Sequence, residues 1–308
     1  MTFQRCKIYK SLKSNSFEVK LKITITSTIK NEMLGIFEII SVGNELLNGN
    51  TLNTNSHFMM GKISEIGGIT IRCTVVKDDI REIVNIVKEA LVRRTRWIII
   101  TGGLGPTYDD KTLEGVAKAL NRNLRLNNDG LEMLKQNYKK NHGGEEMDDS
   151  ELTQTRLKMV TLPEQSEALE NPVGSAPGVH ILENSSSIFC LPGVPREMKA
   201  IFEDSIMKIV LEKEGRKYTC LNSLKISKGF ESSLAPLIGE IVLKYPRVYI
   251  KSHPRGFESG ISKIDIQFLA TSESKEEAKK EARDSMNDFK KLMVSSYPEI
   301  VIEEIQEG

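Results

Sequence analysis

Residues Trp97 to Thr112, WIIITGGLGPTYDDKT, constrain the fold of this chain more than any other segment. A short β-branched apolar run followed at once by turn residues is the mark of a parallel strand buried on both faces. Gly102, Gly103 and Gly105 then allow a sharp turn and a close approach of backbone to a ligand. Asp109 and Asp110 stand just before Leu113, Val116, Ala117 and Leu120, whose helical spacing puts a helix N-terminus there, with unpaired N–H groups and positive dipole density. Such an end favours an anion. Two adjacent carboxylates repel a bare phosphate, so the pattern points to a hard divalent cation between protein and phosphates. The competing assignment is structural: Asp110 caps the helix, and the glycines only make the turn.

The flanking sequence repeats the same alternation. Phe37–Val42 reads as a strand, Asn53–Ile66 as a helix ended by Gly67-Gly68, and Ile69, Ile71, Cys73 and Val75 as an alternating strand. Asp78 or Asp79 caps a helix with Ile80, Ile83, Val84, Val87, Ala90 and Leu91 on its apolar face. Further on, a strand Ser187–Leu191 meets Pro192-Gly193-Val194-Pro195, and a helix then runs to about Leu211. Strands alternating with helices at these lengths imply right-handed βαβ crossovers and a mostly parallel sheet covered on both faces. Ligands bind such sheets beyond the carboxyl ends of the strands. Both acidic turns, at Glu45 and at Asp109-Asp110, fall on that edge. Asn171–Gly178 is too rich in Pro and Gly for regular structure, and His142–Ser150 reads as a mobile loop.

A composition break at Glu212–Lys217 marks a boundary. Beyond it the pattern reads as strand, helix, strand, strand, helix, a small βαββα module. It offers no GxxG loop between helices and no aromatic pair placed for base stacking, so a packing or subunit-contact role is expected rather than RNA binding. His253, within Lys251–Gly256, reads as a hairpin residue or as one facing the ligand edge.

Charge supports this reading. With 43 basic and 42 acidic residues there is no global attraction to nucleic acid. The first 32 residues hold seven of the basic groups against Glu18 and Glu32, leaving the remainder with 36 basic and 40 acidic residues. This Ser-, Thr- and Lys-rich extension lacks the apolar core of a secretory signal. It is expected to be a poorly ordered tail or a start-site artefact, with Met33 the true start. Four dispersed cysteines without a CxxC pair point to a reducing, cytoplasmic setting and no structural zinc. No apolar run has the length of a membrane span.

Five motifs in order resemble the N-terminal region of CinA-type proteins, of the molybdopterin-binding fold superfamily: Glu38–Gly49 (EIISVGNELLNG), Asn53-Thr54-Asn55, Thr101–Asp110 (TGGLGPTYDD), Asn171–Gly178 (NPVGSAPG) and Leu191–Met198 (LPGVPREM). The resemblance covers about residues 36–215, and the module after it fits the KH-like domain of those proteins. It implies three segments: a 1–35 extension, a 36–215 molybdopterin-binding-fold domain, and a 216–308 KH-like α+β domain. The implied fold of the central domain is a three-layer α/β sandwich with its site at the carboxyl edge. With Gly308 the last residue, there is no room for the C-terminal nicotinamide mononucleotide deamidase domain of the family, and that activity is not carried over.

The resemblance further implies binding of a nucleotide or pterin bearing phosphate. Some relatives cleave ADP-ribose between its phosphates with a divalent metal, and the expected function is a pyrophosphatase of that kind. The metal would be Mg²⁺, Mn²⁺ or Co²⁺, with K⁺ as a further cation. Glu45, Asp109 and Asp110 are then the expected catalytic and metal-binding residues. The expected substrate contacts are Gly102, Gly103, Gly105 and Thr107 at the diphosphate, Asn53 and Asn55 as polar contacts, Gly174 and Ser175 in the Pro- and Gly-rich loop, and Gly193 and Glu197 on the opposite wall. Ser175 reads as a loop hydroxyl, since no His or Lys is spaced to activate it. The alternative is a non-catalytic binder of molybdopterin or nucleotide, tied to molybdenum cofactor metabolism. A homodimer is expected, with neither nucleic acid nor membrane as partner.

Overall fold

Eight short strands of the first part of the chain are β1 (Leu34–Val42), β2 (Gly68–Val76), β3 (Trp97–Thr101), β4 (Leu124–Leu126), β5 (Thr161–Pro163), β6 (Ser166–Leu169), β7 (Gly178–Glu183) and β8 (Ser186–Leu191). The structure, a computed structural model, describes residues 34–141, 145, 147–148, 151–258 and 261–307. Expectations for the N-terminal extension and for much of the 142–150 loop fall outside those residues. Six strands form one sheet in the order β2-β1-β3-β8-β7-β6. The first four run parallel, and β7 and β6 add an antiparallel margin.

β3 is central and buried along its whole length, and its alternate residues separate the two faces. Ile98 and Ile100 pack with Ile40, Val42 and Val116, and with Ile83 and Val87 of helix Ile80–Val92. Trp97 and Ile99 pack on the other face with Phe37, Met59 and Ile63 of helix Thr54–Glu65, and with Met198 and Ile201. This is a three-layer sandwich, as expected. The helix that starts at Pro195 continues through a π-type turn at Phe202–Ile206 to Glu214.

Two features anchor the amino half of the sheet. Phe37, Trp97, Phe189 and His180 stack across four adjacent strands, with centroids 6.1, 6.1 and 4.6 Å apart. On the opposite face, buried Glu38 takes two hydrogen bonds from Arg93, Nε at 2.8 Å and Nη2 at 2.7 Å, and a third from the Thr95 hydroxyl.

A first compact unit spans Leu34–Arg216, and a second begins at Lys217. The second contains β9 (Tyr218–Ser227), helix Glu231–Lys244, β10 (Val248–Glu258), β11 (Ile261–Ser272), helix Lys275–Ser296 and β12 (Val301–Gln306). The sequence pattern stops at βαββα; the structure adds β12, whose largely exposed residues give no apolar alternation. All pairings are antiparallel, in the order β10-β11-β9-β12, the split βαβ arrangement. The two helices of this unit are separated by a hairpin, so the helix–loop–helix that would carry a GxxG clamp is not formed. His253 lies in that hairpin, with Nε2 3.1 Å from Gln267 Oε1. No helix among the described residues is long and apolar enough to cross a membrane.

Candidate functional site

The loops leaving β1, β2, β3 and β8 open around one cleft of about 730 Å³ at the carboxyl edge of the parallel strands. All thirteen site residues expected from sequence line it. Five of its lining residues are acidic: Glu45, Asp78, Asp109, Asp110 and Glu197. None of the thirty lining residues is Lys, Arg or His.

The glycine loop is shaped by its contacts. Gly102 has φ +101°, and a Cβ there would overlap the Val42 carbonyl oxygen, so neither backbone nor space admits a side chain. Its N–H donates to Leu191 O at 3.0 Å, joining the ends of β3 and β8. That donor is therefore spent, and the expected diphosphate cradle narrows to the N–H groups of Gly103 and Gly105, which make no bond within the described chain. Thr112 starts the helix with its hydroxyl on Gly102 O at 2.7 Å and its N–H on Gly103 O at 3.1 Å.

Asp110 does not cap that helix; Lys111 occupies the cap position without a side-chain bond. Asp110 Oδ2 instead takes the Thr107 N–H at 2.8 Å, pinning the loop. The Thr107 hydroxyl lies 2.5 Å from both Asp109 Oδ1 and Asp110 Oδ2, and its single proton serves one of them at a time. The Thr107 hydroxyl, followed by a backbone N–H, holds the exposed Asp109 carboxyl below its ordinary range. Lys158, from helix Gln154–Met159, donates to Thr107 O beside this loop and adds a favourable charge near Asp109.

Asp79 caps its helix by accepting from Arg81 N at 2.9 Å and Glu82 N at 3.3 Å. Its neighbour Asp78 faces the cleft and was missed as a site residue. Asp78 Oδ2 takes the Asn44 N–H at 2.8 Å, tying the turn that carries Glu45 to the end of β2. Burial raises the Asp78 carboxyl, Asn44 opposes the rise, and the charges of Glu45 and Asp109 add to it. Three carboxylates from three successive strand exits thus share one electrostatic neighbourhood. The sequence signal was available: Asp78 follows β2 as Glu45 follows β1.

On the other wall, Asn53 is consumed by structure. Its Oδ1 caps helix Thr54–Glu65 through Ser56 N at 3.2 Å, and its Nδ2 donates to Ser41 Oγ at 3.0 Å. Asn55 Nδ2 donates to Gly193 O at 2.8 Å. Glu197 packs against Gly174, where a Cβ would collide with the carboxylate, and takes Asn171 Nδ2 at 2.7 Å. Buried Asn137 fixes that loop by donating to Asn171 O and Gly174 O, each at 2.9 Å. Ser175 also lines the cleft. Neither Asn137 nor Asn171 was read as a site residue, and nothing in the pattern around Asn137 marks it.

The sequence profile of the family described as "Probable molybdopterin binding domain" matches residues 38–212, more than half of the chain. The chain belongs to this family. A protein of Sulfurisphaera tokodaii is 40% identical over 257 residues, covering 83% of this chain and 94% of its own length. One from Aeropyrum pernix is 44% identical over 246 residues, covering 79% and 88%. Among solved structures, the CinA protein of unknown function from Thermoplasma acidophilum is 39% identical with a TM-score of 0.51, over 57% of this chain and 98% of that one. The CinA-type resemblance of the five motifs thus stands.

The donor set of the acidic edge is all oxygen, which suits Mg²⁺, Mn²⁺ or another hard divalent cation. No group of three or more His, Cys, Asp or Glu among the described residues is arranged to hold a metal ion. The expected trio of Glu45, Asp109 and Asp110 is therefore not a preformed cage, because Asp110 is turned onto Thr107 and Glu45 stands on a separate element, the short helix Asn44–Leu47. The arrangement fits instead a cation that keeps waters and arrives with substrate phosphates, needing one or two protein carboxylates.

Proposed function

We propose that the chain is a cation-dependent hydrolase that cleaves the diphosphate of an ADP-ribose-like nucleotide to AMP and a phosphorylated remainder. One observation carries the reading: five carboxylates and two free glycine N–H groups line a cleft that, among the described residues, has no basic residue in its lining. An anionic diphosphate enters such a cleft only with its own cation. The CinA-type family membership supports it.

A divalent ion such as Mg²⁺, Mn²⁺ or Co²⁺, when bound, neutralises charge on the phosphates and lowers the pKa of an attacking water. Asp109, ionised at neutral pH, and Glu45 are the residues that would hold it. Gly103 and Gly105 direct N–H groups at phosphate oxygens. Asp110 keeps the loop in shape through Thr107, and a carboxylate of the same edge free of the cation accepts the proton of water. Water adds to one phosphorus as the bridging P–O bond breaks, giving AMP and ribose 5-phosphate from ADP-ribose.

The test is product analysis on the full chain with ADP-ribose, FAD and NAD, with and without Mg²⁺, Mn²⁺ or Co²⁺, and with K⁺ present. AMP released only with a divalent cation supports the hydrolase. No AMP from any substrate on a folded chain contradicts it.

A second reading is favoured by the family description itself: a molybdopterin or nucleotide binder without turnover, linked to molybdenum cofactor metabolism. Stoichiometric binding of molybdopterin without product would select it. The free thiols of Cys73, Cys190 and Cys220 suit the cytoplasmic setting that goes with either reading. A homodimer is also part of the proposal and is tested by light scattering.

A further inference from the structure

Six buried side-chain N or O atoms among the described residues lack a hydrogen-bond partner: Asn55 Oδ1, Thr70 Oγ1, Trp97 Nε1, His180 Nε2, Ser187 Oγ and Glu281 Oε2. Only Asn55 belongs to the cleft lining. The orientation of its amide is decided by its neighbours. Nδ2 lies 2.8 Å from the Gly193 carbonyl oxygen, which can only accept, and 3.4 Å from Thr101 Oγ1, whose own proton goes to Pro192 O at 3.0 Å. Flipping the amide would set two acceptors face to face, so the orphan is the oxygen. A buried acceptor without a partner carries a desolvation cost that a ligand donor removes.

We infer that Asn55 Oδ1 reads the non-phosphate part of the ligand, accepting a hydrogen bond from an N–H or O–H next to the diphosphate. The inference rests on the proposed nucleotide site, but not on turnover there. An acceptor oxygen repels phosphate oxygens, whereas the free N–H groups of Gly103 and Gly105 attract them, so the cleft is polarised. Its glycine loop takes phosphate and its Asn55 wall takes a donor. Asn53, two residues earlier, has both amide atoms engaged within the protein and makes no such demand. The donor class is a ribose hydroxyl or an exocyclic amine of a heterocycle. A bare pyrophosphate has neither.

The experiment is calorimetric binding to the full chain with Mg²⁺, comparing the parent protein with Asn55→Ala. The probes are ADP, 2′,3′-dideoxy-ADP, purine-riboside diphosphate, which lacks the exocyclic amine, and inorganic pyrophosphate. Asn55→Ala is expected to weaken ADP binding by about 3- to 10-fold, the scale of one neutral hydrogen bond, and to leave pyrophosphate within about twofold. The analogue whose own loss disappears in Asn55→Ala names the donor, hydroxyl or amine.

Equal weakening of ADP and pyrophosphate would show that Asn55 only supports the Gly193 wall, and would overturn the inference. So would additive losses for both analogues, or a parent protein that binds ADP no better than pyrophosphate. If Asn55→Ala does not fold, the two analogues on the parent protein still decide: one must lose about the same factor, and neither losing it overturns the inference. Selective loss of ADP binding without AMP release from ADP-ribose would keep the inference and reject the hydrolase.

Discussion

The sheet of the first unit treats its carboxylates in opposite ways along its length. Glu38, aligned with Ile98 in the amino half of β3, is buried and takes hydrogen bonds from Arg93 and Thr95. Glu45, Asp78 and Asp109, at the carboxyl edge, form no ion pair among the described residues, and two of them push the third upward. A buried charge must be paired to be tolerated. On the proposed reading, like charges gathered beside a cleft are there for a cation-bearing ligand. The contrast separates a carboxylate that holds the fold from carboxylates that line the cleft.

Four substitutions or titrations probe that contrast. The largest expected effect on stability is at the paired end: Glu38→Ala strands Arg93 beside the core and should cost about 3 kcal/mol, read as a lower denaturant midpoint with unchanged slope. At the cleft end the backbone is the sensitive part. Gly102→Ala must relieve both its φ and its overlap with Val42, and should cost about 2 kcal/mol together with AMP release. A cost below about 0.5 kcal/mol would mean that the loop relaxes freely.

The pH response should differ in sign between the two ends. Burial alone would raise the Glu38 carboxyl, but the bonds from Arg93 and Thr95 and the Arg93 charge outweigh it and bring it below the usual 4.5. Its contribution is full above that value and fades as pH falls through the depressed one. Glu38→Gln should therefore flatten the acid limb of stability against pH. Asp78 is raised above the usual 3.8, chiefly by burial, so a stability cost builds as pH climbs from the usual value through the raised one and is full above it. Asp78→Asn keeps an acceptor for Asn44 and should leave the protein equally stable, or more stable by a few tenths of a kcal/mol, at neutral pH. Marked destabilisation by Asp78→Asn would place that residue with Glu38 instead.

How much of this was legible follows from burial. The runs at β1, β3 and β8 are apolar because both faces of those strands are covered, and they stand out in the sequence. β4 and β5 are three residues long, and β12 is mostly exposed, so none carries a period. β7 went unassigned beside the Pro- and Gly-rich loop, although Glu183-Asn184-Ser185-Ser186, with Asn184 at φ +53°, makes its hairpin to β8. The site was legible to the level of which residues share the cleft. Their bonding was not: whether an amide or an N–H is spent or free, as with Asn53 against Asn55 and Gly102 against Gly103, depends on partners distant in sequence.

The most direct measurement is AMP release from ADP-ribose with Mg²⁺, taken beside the melting temperature, for Asp109→Asn and Glu38→Gln of the full chain. The expected result is a double dissociation: Asp109→Asn loses turnover by about 100-fold or more at an unchanged melting temperature, while Glu38→Gln melts earlier but keeps turnover per folded molecule. Full turnover in Asp109→Asn would contradict the assignment of the acidic edge to a cation-dependent reaction.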